Sequence, residues 1–200
     1  SVVREHAERG EHVVVVVSAL SRVTDCILKV LDTTRLGNRA EAEREMKLLD
    51  ERHENVIAEL FEESNRRSVA AQVNALMARF REFCSALLLL KSATRQVVDM
   101  VLPIGEQISA QIFVACLQQL GARAEFIDSA RVLVTDDKFG DAAPDIDSTR
   151  QRCDEVLRPL VNRGFIPVVM GFSGATLSGQ STTLGRGGSD YSATILGAGM

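Results

Sequence analysis

Charge is scarce in the last part of this chain. Between Gly164 and Met200 the charged residues are Arg186 and Asp190, and most of the chain's 14 glycines lie in the same segment. A segment so poor in charge is typical of a buried stretch or of the wall of a cleft, where an unpaired charge is costly. Glycines beside the two charges allow a ligand to approach the backbone and leave amides free to face an anion. The segment therefore predicts a pocket for a polar ligand.

What the composition lacks also argues against several classes of function. A net charge of −4 offers no basic face for nucleic acid. The longest apolar runs, Val13–Val17 and Ala86–Leu90, are too short to span a membrane, and no secretory signal is visible. The four cysteines form no C-x-x-C pair and do not cluster with the three histidines. We expect a cytoplasmic protein with reduced thiols, no bound metal, and neither nucleic acid nor membrane as a partner.

Both ends of the chain suggest a piece of a longer protein. The chain begins at Ser1 without an initiator methionine, with a helical pattern already under way over Val2–Arg9. It ends at Met200 inside another helical pattern. Its 200 residues are 46% hydrophobic, which is enough for one buried core. We expect one partial domain over residues 1–200.

Strand and helix patterns alternate along most of the chain. Val13–Val17 is an apolar run typical of a strand covered on both faces, and a helix from about Val23 to Leu31 follows it. Turn residues at Ser173-Gly174 and Ser178-Gly179 predict a hairpin. Further strands are predicted over Arg123–Ile127, Val132–Val134 and Phe165–Met170, and further helices from Pro103 to Leu120, over Thr149–Asn162 and after Gly187. This alternation predicts an α/β fold, a three-layer αβα sandwich with a mainly parallel sheet.

Residues 39–91 interrupt that alternation and predict an inserted helical hairpin. Of residues 39–67, 15 of 29 are charged, and apolar residues recur at three- and four-residue steps in a narrow stripe that includes His53. A break is predicted at Ser64-Asn65, before a second amphipathic helix. The charges are better explained as a solvated face than as a binding surface, and His53 as part of the helix seam rather than as a ligand.

Candidate site residues lie at three strand–turn–helix junctions: Ser18–Thr24, Pro103–Glu106 and Thr182–Asp190. In open α/β sheets, ligands bind at the carboxyl ends of strands beside helix N-termini. The three junctions are therefore expected to converge on one crevice.

Each candidate also has a structural explanation, and the residues alone leave the choice open. Arg186 could hold a carboxylate through two hydrogen bonds, or pair with Asp190 one helical turn away. Glu106 could belong to the site, or favour a helix N-terminus by about 0.3–1 kcal/mol. Ser18 and Thr24 by themselves are typical helix caps.

Five motifs resemble those of the aspartate kinases and occur in that family's order. Val14–Asp25 resembles their "VVVSA" segment with its following "TN", and Gly105-Glu106 resembles their "GE" helix start. Thr135–Gly140 resembles their "TDD.FG" loop, Gly171–Ala175 their "GFIGA" segment, and Ser181–Ser192 their "TTTLGRGGSDYS" signature. One such motif alone would be weak, whereas five in order are strong.

The resemblance implies the amino-acid-kinase fold, here as its N-terminal substrate lobe, and a phosphotransferase reaction. The γ-phosphoryl group of ATP, with Mg²⁺ as cofactor, would pass to the side-chain carboxylate of L-aspartate and give 4-phospho-L-aspartate, on the route to lysine, threonine and methionine. A homo-oligomer is expected for the full-length enzyme. The side-chain carboxyl group of aspartate has a pKa of about 3.9, so it is ionised at pH 7 and needs no general base. Catalysis should therefore rest on positioning and charge neutralisation.

The resemblance also assigns roles to residues of this chain. Arg186 should hold the α-carboxylate of aspartate, Glu106 should face its ammonium group, and Asp190 should organise that end of the pocket; these three are the implied catalytic residues. The implied substrate-binding residues also include donors of hydroxyls to substrate carboxylates and one aromatic wall, namely Ser18, Thr24, Thr183 and Phe172. Nucleotide-binding residues stay unassigned.

Some departures from the family pattern qualify the resemblance. The family's opening "KFGGTSV" strand with its catalytic lysine, its nucleotide-binding half and its regulatory domains have no counterpart here, so we expect these 200 residues alone to lack kinase activity. Asp25 replaces the usual Asn and Ser173 the usual Ile. Two alternatives stay open: a related kinase acting on glutamate or N-acetylglutamate, and a non-catalytic amino-acid-binding or regulatory module of the same fold.

Overall fold

The computed structural model describes residues 2–185 and 187–200. Strands and helices alternate along the chain, except that five helices follow one another after the first strand and the last three strands are consecutive. In chain order the elements are α1 (Val2–Glu8), β1 (Val15–Val17), α2 (Val23–Arg35), α3 (Arg39–Leu60), α4 (Glu63–Leu90), α5 (Arg95–Asp99), α6 (Ile104–Gln119), β2 (Ala124–Ile127), a 3₁₀ turn (Ser129–Arg131), β3 (Val134–Thr135), α7 (Ile146–Asn162), β4 (Ile166–Met170), β5 (Ser173–Thr176), β6 (Ser181–Thr183) and α8 (Gly188–Gly199).

A parallel sheet in the order β1-β4-β2 forms the centre of the molecule. Val15 of β1 pairs with Val168 of β4, and Phe126 of β2 pairs with the same residue from the other side. Every residue of β4 is buried, as expected for a strand with neighbours on both edges and helices on both faces.

Helices cover both faces of this sheet. Side chains alternate across a strand, so Val13, Val15 and Val17 pack on the cluster with α1 and α6, whereas Val14 and Val16 pack on the cluster with α7 and α8. This confirms the expected three-layer αβα sandwich. Helix α7 begins three residues earlier than predicted because the Asp145 side chain accepts from the Ser148 amide at 3.1 Å and caps it.

A second, smaller sheet has the order β3-β5-β6. Strands β3 and β5 are parallel, and β5 and β6 form the expected antiparallel hairpin. Ser173 and Gly174 were predicted as turn residues, but they lie inside β5. The chain reverses between Thr176 and Ser181, which confirms the predicted turn at Ser178-Gly179, where Gly179 has a φ of +83°. Gly174 fits the strand because a Cβ there would lie 2.7 Å from the Leu133 carbonyl oxygen.

The inserted hairpin consists of α3 and α4, with its break at Phe61-Glu62 rather than at Ser64-Asn65. Phe61 is extended and buried in the helical core. The Arg66 guanidinium donates to the carbonyl oxygens of Ala58 and Phe61, so it satisfies the end of α3 from the first turn of α4. Asn65, which was predicted as part of the break, lies inside α4. Helix α2 is also longer than predicted and ends at Arg35, before Gly37 at φ +77°.

Two buried features belong to the core rather than to a site. His53 is 2% exposed within the hairpin, and burial lowers its pKa. The run Arg95–Gln119 is long and apolar enough to cross a membrane by length and composition, but 61% of its apolar window is buried inside the protein. It is also divided into α5 and α6. Its apolarity is thus accounted for by packing.

Candidate functional site

One cavity of about 820 Å³ lies where β1 and β4 end and where α2, α6 and α8 begin. It is lined by every described residue that the sequence predicted for the site: Ser18, Thr24, Glu106, Phe172, Thr183 and Asp190. The three junctions therefore converge on one cavity. Arg186, also predicted for the site, lies outside the described residues.

Glu106 reaches the cavity because α6 begins in close contact with α2. A Cβ at Gly105 would lie 2.8 Å from Val23 Cγ1 and 3.0 Å from Ala19 Cβ, so only a glycine allows this approach. Glu106 itself is 2% exposed, and its Oε2 atom has no hydrogen-bond partner among the described residues. Burial raises the pKa of Glu106 to about 7, and backbone contacts at Glu106 and Ala19 oppose that rise only in part. A buried, unsatisfied carboxyl facing a cavity suits a cationic group of a ligand.

Phe172 is held in a strained conformation between β4 and β5. Its φ is +70°, in the left-handed region where a bulky residue costs about 1–3 kcal/mol. The Phe172 amide donates to Ser192 Oγ at 3.0 Å, and the Leu184 amide donates to the Phe172 carbonyl oxygen at 2.9 Å. These bonds join the end of β4 to α8 and to the end of β6, and so fix one wall of the cavity.

Ser18 and Thr24 lie at the more open side of the cavity, where Ser18 is exposed and Thr24 half-buried. Neither residue caps α2, because the N-cap position is Arg22, at φ +65° and without a side-chain cap. The helix-cap explanation for the two hydroxyls is therefore wrong. Asp25, which replaces the usual Asn, also lines the cavity.

Thr183 lines the cavity as predicted, but its hydroxyl is hydrogen-bonded to Asp99, a residue that the sequence did not single out. The Thr183 hydroxyl donates to Asp99 Oδ1 at 2.9 Å, so its proton is not available to a substrate carboxylate as expected. Asp99 also lines the cavity and is 2% exposed. Its position could have been suspected from an acid in the otherwise apolar stretch before Gly105, but not its partners, which are distant in sequence.

Most of the charged side chains that line the cavity are acidic. Among its described lining residues, Arg95 is the cation, and the acids are Asp25, Asp99, Glu106 and Asp190. Such a lining suits an ammonium group, whereas a second, anionic part of a ligand requires a cation close by. Within residues 2–185 and 187–200, no three His, Cys, Asp or Glu side chains come close enough to hold a metal ion.

Relatives of this chain are aspartokinases. The chain is 38% identical over 100 residues to the lysine-sensitive aspartokinase 3 of Escherichia coli, a match that covers 50% of this chain and 22% of the relative. It is 28% identical over 183 residues to the aspartokinase of Chlamydia muridarum, which covers 92% and 38%. The chain thus spans less than half the length of these relatives.

Solved structures of aspartokinases are also similar to this chain. A structure of E. coli aspartokinase III in complex with lysine and aspartate superposes with a TM-score of 0.86, at 26% identity, over 98% of this chain and 41% of that one. A complex of the same enzyme with aspartate and ADP gives a TM-score of 0.84 at 25% identity, over 97% and 42%. The model of the amino acid kinase family matches residues 1–200. The chain therefore belongs to the amino acid kinase family.

Proposed function

We propose that this chain is the aspartate-binding part of an aspartate kinase, which transfers the γ-phosphoryl group of ATP to the side-chain carboxylate of L-aspartate. One observation carries the proposal: the unsatisfied carboxyl of Glu106 faces the same cavity as the first turn of α8, which bears Asp190. The names of the relatives and the aspartate bound in the two similar structures point in the same direction.

The chemistry of the cavity supports a zwitterionic ligand. Glu106 would accept the ammonium group of aspartate, whose charge would stabilise the ionised carboxylate. The N-terminus of α8 and Arg186 would hold the α-carboxylate, since free amides and a guanidinium both bind carboxylates. The side-chain carboxylate is then free to attack the terminal phosphorus of ATP, so that the acyl-phosphate bond forms as the bond to the leaving ADP breaks. An already ionised nucleophile needs no base, so the protein contributes orientation and charge neutralisation.

Mg²⁺ in ATP-dependent phosphoryl transfer is held mainly by the nucleotide phosphates and several waters, with one or two carboxylates. When bound, the ion would neutralise the phosphate charge that an anionic aspartate must approach. The product, 4-phospho-L-aspartate, would enter the synthesis of lysine, threonine and methionine.

The first prediction concerns substrate choice and uses the product of the complete gene. With ATP, Mg²⁺ and hydroxylamine, L-aspartate is expected to give the hydroxamate of an acyl phosphate. N-acetyl-L-aspartate keeps both carboxylates but lacks the ammonium group, so it should react at least about tenfold more slowly because Glu106 is left without a partner. Glutamate and N-acetylglutamate serve as further competitors. Faster reaction with an N-acetylated acid would overturn the proposal, and binding of aspartate without acyl phosphate would indicate a non-catalytic module.

The second prediction concerns Arg186. Replacing it with Lys keeps the charge but loses the two-pronged geometry that holds a carboxylate. The KM for aspartate is expected to rise about tenfold or more, while the KM for ATP stays within about twofold. Steady-state kinetics with each substrate varied in turn test this. An unchanged KM for aspartate would remove Arg186 from the site and favour the simple ion pair with Asp190.

A further inference from the structure

We infer that Asp99 is a positioning residue, which holds β6 and thereby the start of α8 in place for aspartate binding. The inference rests on the proposed function for its substrate. It concerns a residue that touches the cavity wall rather than the reacting atoms.

Three hydrogen bonds converge on the Asp99 carboxylate from two distant parts of the chain. Oδ2 accepts from the Gly140 amide at 2.7 Å and from the Thr183 amide at 3.0 Å. Oδ1 accepts from the Thr183 hydroxyl at 2.9 Å. A carboxylate only accepts hydrogen bonds, so three donors directed at it fix its place and theirs. One side chain thus joins α5, the loop after β3 and the end of β6.

Burial gives these bonds their importance. Asp99 is 2% exposed and Thr183 is 1% exposed, so water has little access to replace a lost bond between these two residues. In the described part of the chain, Asp99 forms no ion pair with Lys, Arg or His. Among the described residues the Asp99 carboxylate therefore has these three donors as its partners, and removing it would take the acceptor away from two amides.

The loop of the "TDD.FG" motif completes the arrangement. Asp136 Oδ1 accepts from the amides of Lys138 and Ala143, which closes the loop on itself. The Ala142 amide donates to the Thr183 carbonyl oxygen at 2.9 Å. The loop and Asp99 thus hold Thr183 by its amide, its carbonyl and its hydroxyl. Since Leu184 bonds to Phe172, which in turn bonds to Ser192 of α8, a shift of β6 would pass to the start of that helix.

The test compares Asp99→Ala, Asp99→Asn and the control Asp147→Asn in the product of the complete gene. Asp147 is an acid at the start of α7 whose side chain is 94% exposed. The Ala variant loses all three bonds and is expected to raise the KM for aspartate more than about tenfold, with the KM for ATP unchanged. In the Asn variant the oxygen can accept from both amides and the amide group can donate to Thr183. Its KM should stay within about threefold of the wild type.

Amide hydrogen exchange gives a second readout, which does not depend on substrate. The amides of Gly140 and Thr183 are expected to exchange faster in the Ala variant and at the wild-type rate in the Asn variant and the control. If the Ala variant does not fold, slow exchange in the Asn variant supports the inference and fast exchange overturns it.

The possible failures are distinguishable. A wild-type protein that does not bind aspartate refutes the proposed function, while the exchange rates still decide whether Asp99 holds β6. An Ala variant that unfolds more easily but keeps its KM shows a purely structural role and overturns the inference. An Asn variant as impaired as Ala also overturns it, because charge rather than position would then matter.

Discussion

Replacing Glu106 with Gln is expected to make the protein more stable above pH 7 and to weaken its binding of aspartate at the same time. Burial raises the pKa of Glu106 from its ordinary 4.5 to about 7, so the folded state holds this proton more tightly than the unfolded chain. Stability therefore falls as the pH rises from about 4.5 to about 7, by an amount on the order of 2–3 kcal/mol. Gln stays neutral and avoids this loss, so its advantage is largest above pH 7 and vanishes below pH 4.5.

The same Gln variant is expected to bind aspartate more weakly, although it is more stable. An ammonium group beside Glu106 favours the ionised carboxylate and lowers its pKa. At pH 7 about half of the empty sites hold the proton, so binding should release about half a proton, and affinity should rise between pH 6 and pH 8. Gln offers no charge to the ammonium, and we expect its affinity to fall about tenfold or more, with no proton release.

Urea unfolding at pH 5 and pH 8, and calorimetry in two buffers of different ionisation enthalpy, measure the two sides. Glu59→Gln is the matched control, because Glu59 is exposed on α3 and its loss should change stability by less than about 0.5 kcal/mol. A Gln variant that is less stable at pH 8 would contradict the burial argument. A Gln variant that binds aspartate as the wild type does would remove Glu106 from the ammonium site.

Local patterns were enough to predict the layers of the fold and the place of the cavity. The run Val13–Val17 predicts a strand covered on both faces, and its alternate valines do pack on two different helical layers. Gly105, at one of the predicted junctions, does lie where two elements touch too closely for a side chain. Both kinds of signal are contained in a few neighbouring residues, which is why the sequence carries them.

What the sequence could not supply are contacts between distant segments. Asp99 is 41 residues from Gly140 and 84 from Thr183, so the apolar stretch around this acid could suggest its burial but not these two partners. The left-handed backbone of Phe172 could not be predicted either, because this conformation is usually signalled by a glycine or an asparagine at the position. Asp99 and Phe172 thus depend on tertiary packing that overrides local preference. The break at Phe61 was misplaced for a local reason, because the Arg66 guanidinium satisfies carbonyl oxygens at the end of α3.

Replacing Gly171 with Ala is expected to damage both folding and binding. A Cβ at Gly171 would lie 2.8 Å from Ser189 Cβ and 2.9 Å from Ser189 Cα. Because Cα belongs to the backbone of α8, the clash cannot be relieved by a rotamer change, and the start of the helix has to move. We expect a loss of about 1–3 kcal/mol in the free energy of unfolding. The displaced turn carries Asp190, so the affinity for aspartate should also fall, by about tenfold or more.

Gly197→Ala is the control for this change, since it adds the same methyl group to the same helix. Gly197 is exposed, and a Cβ there would meet nothing within 4 Å. Ala favours a helix interior over Gly, so this variant should gain about 0.5–1 kcal/mol and bind aspartate unchanged. Urea unfolding and calorimetric titration of both variants measure the contrast. Equal effects would mean that α8 tolerates displacement at its first turn; opposite signs would mean that the closeness of α8 to the end of β4 shapes the aspartate site.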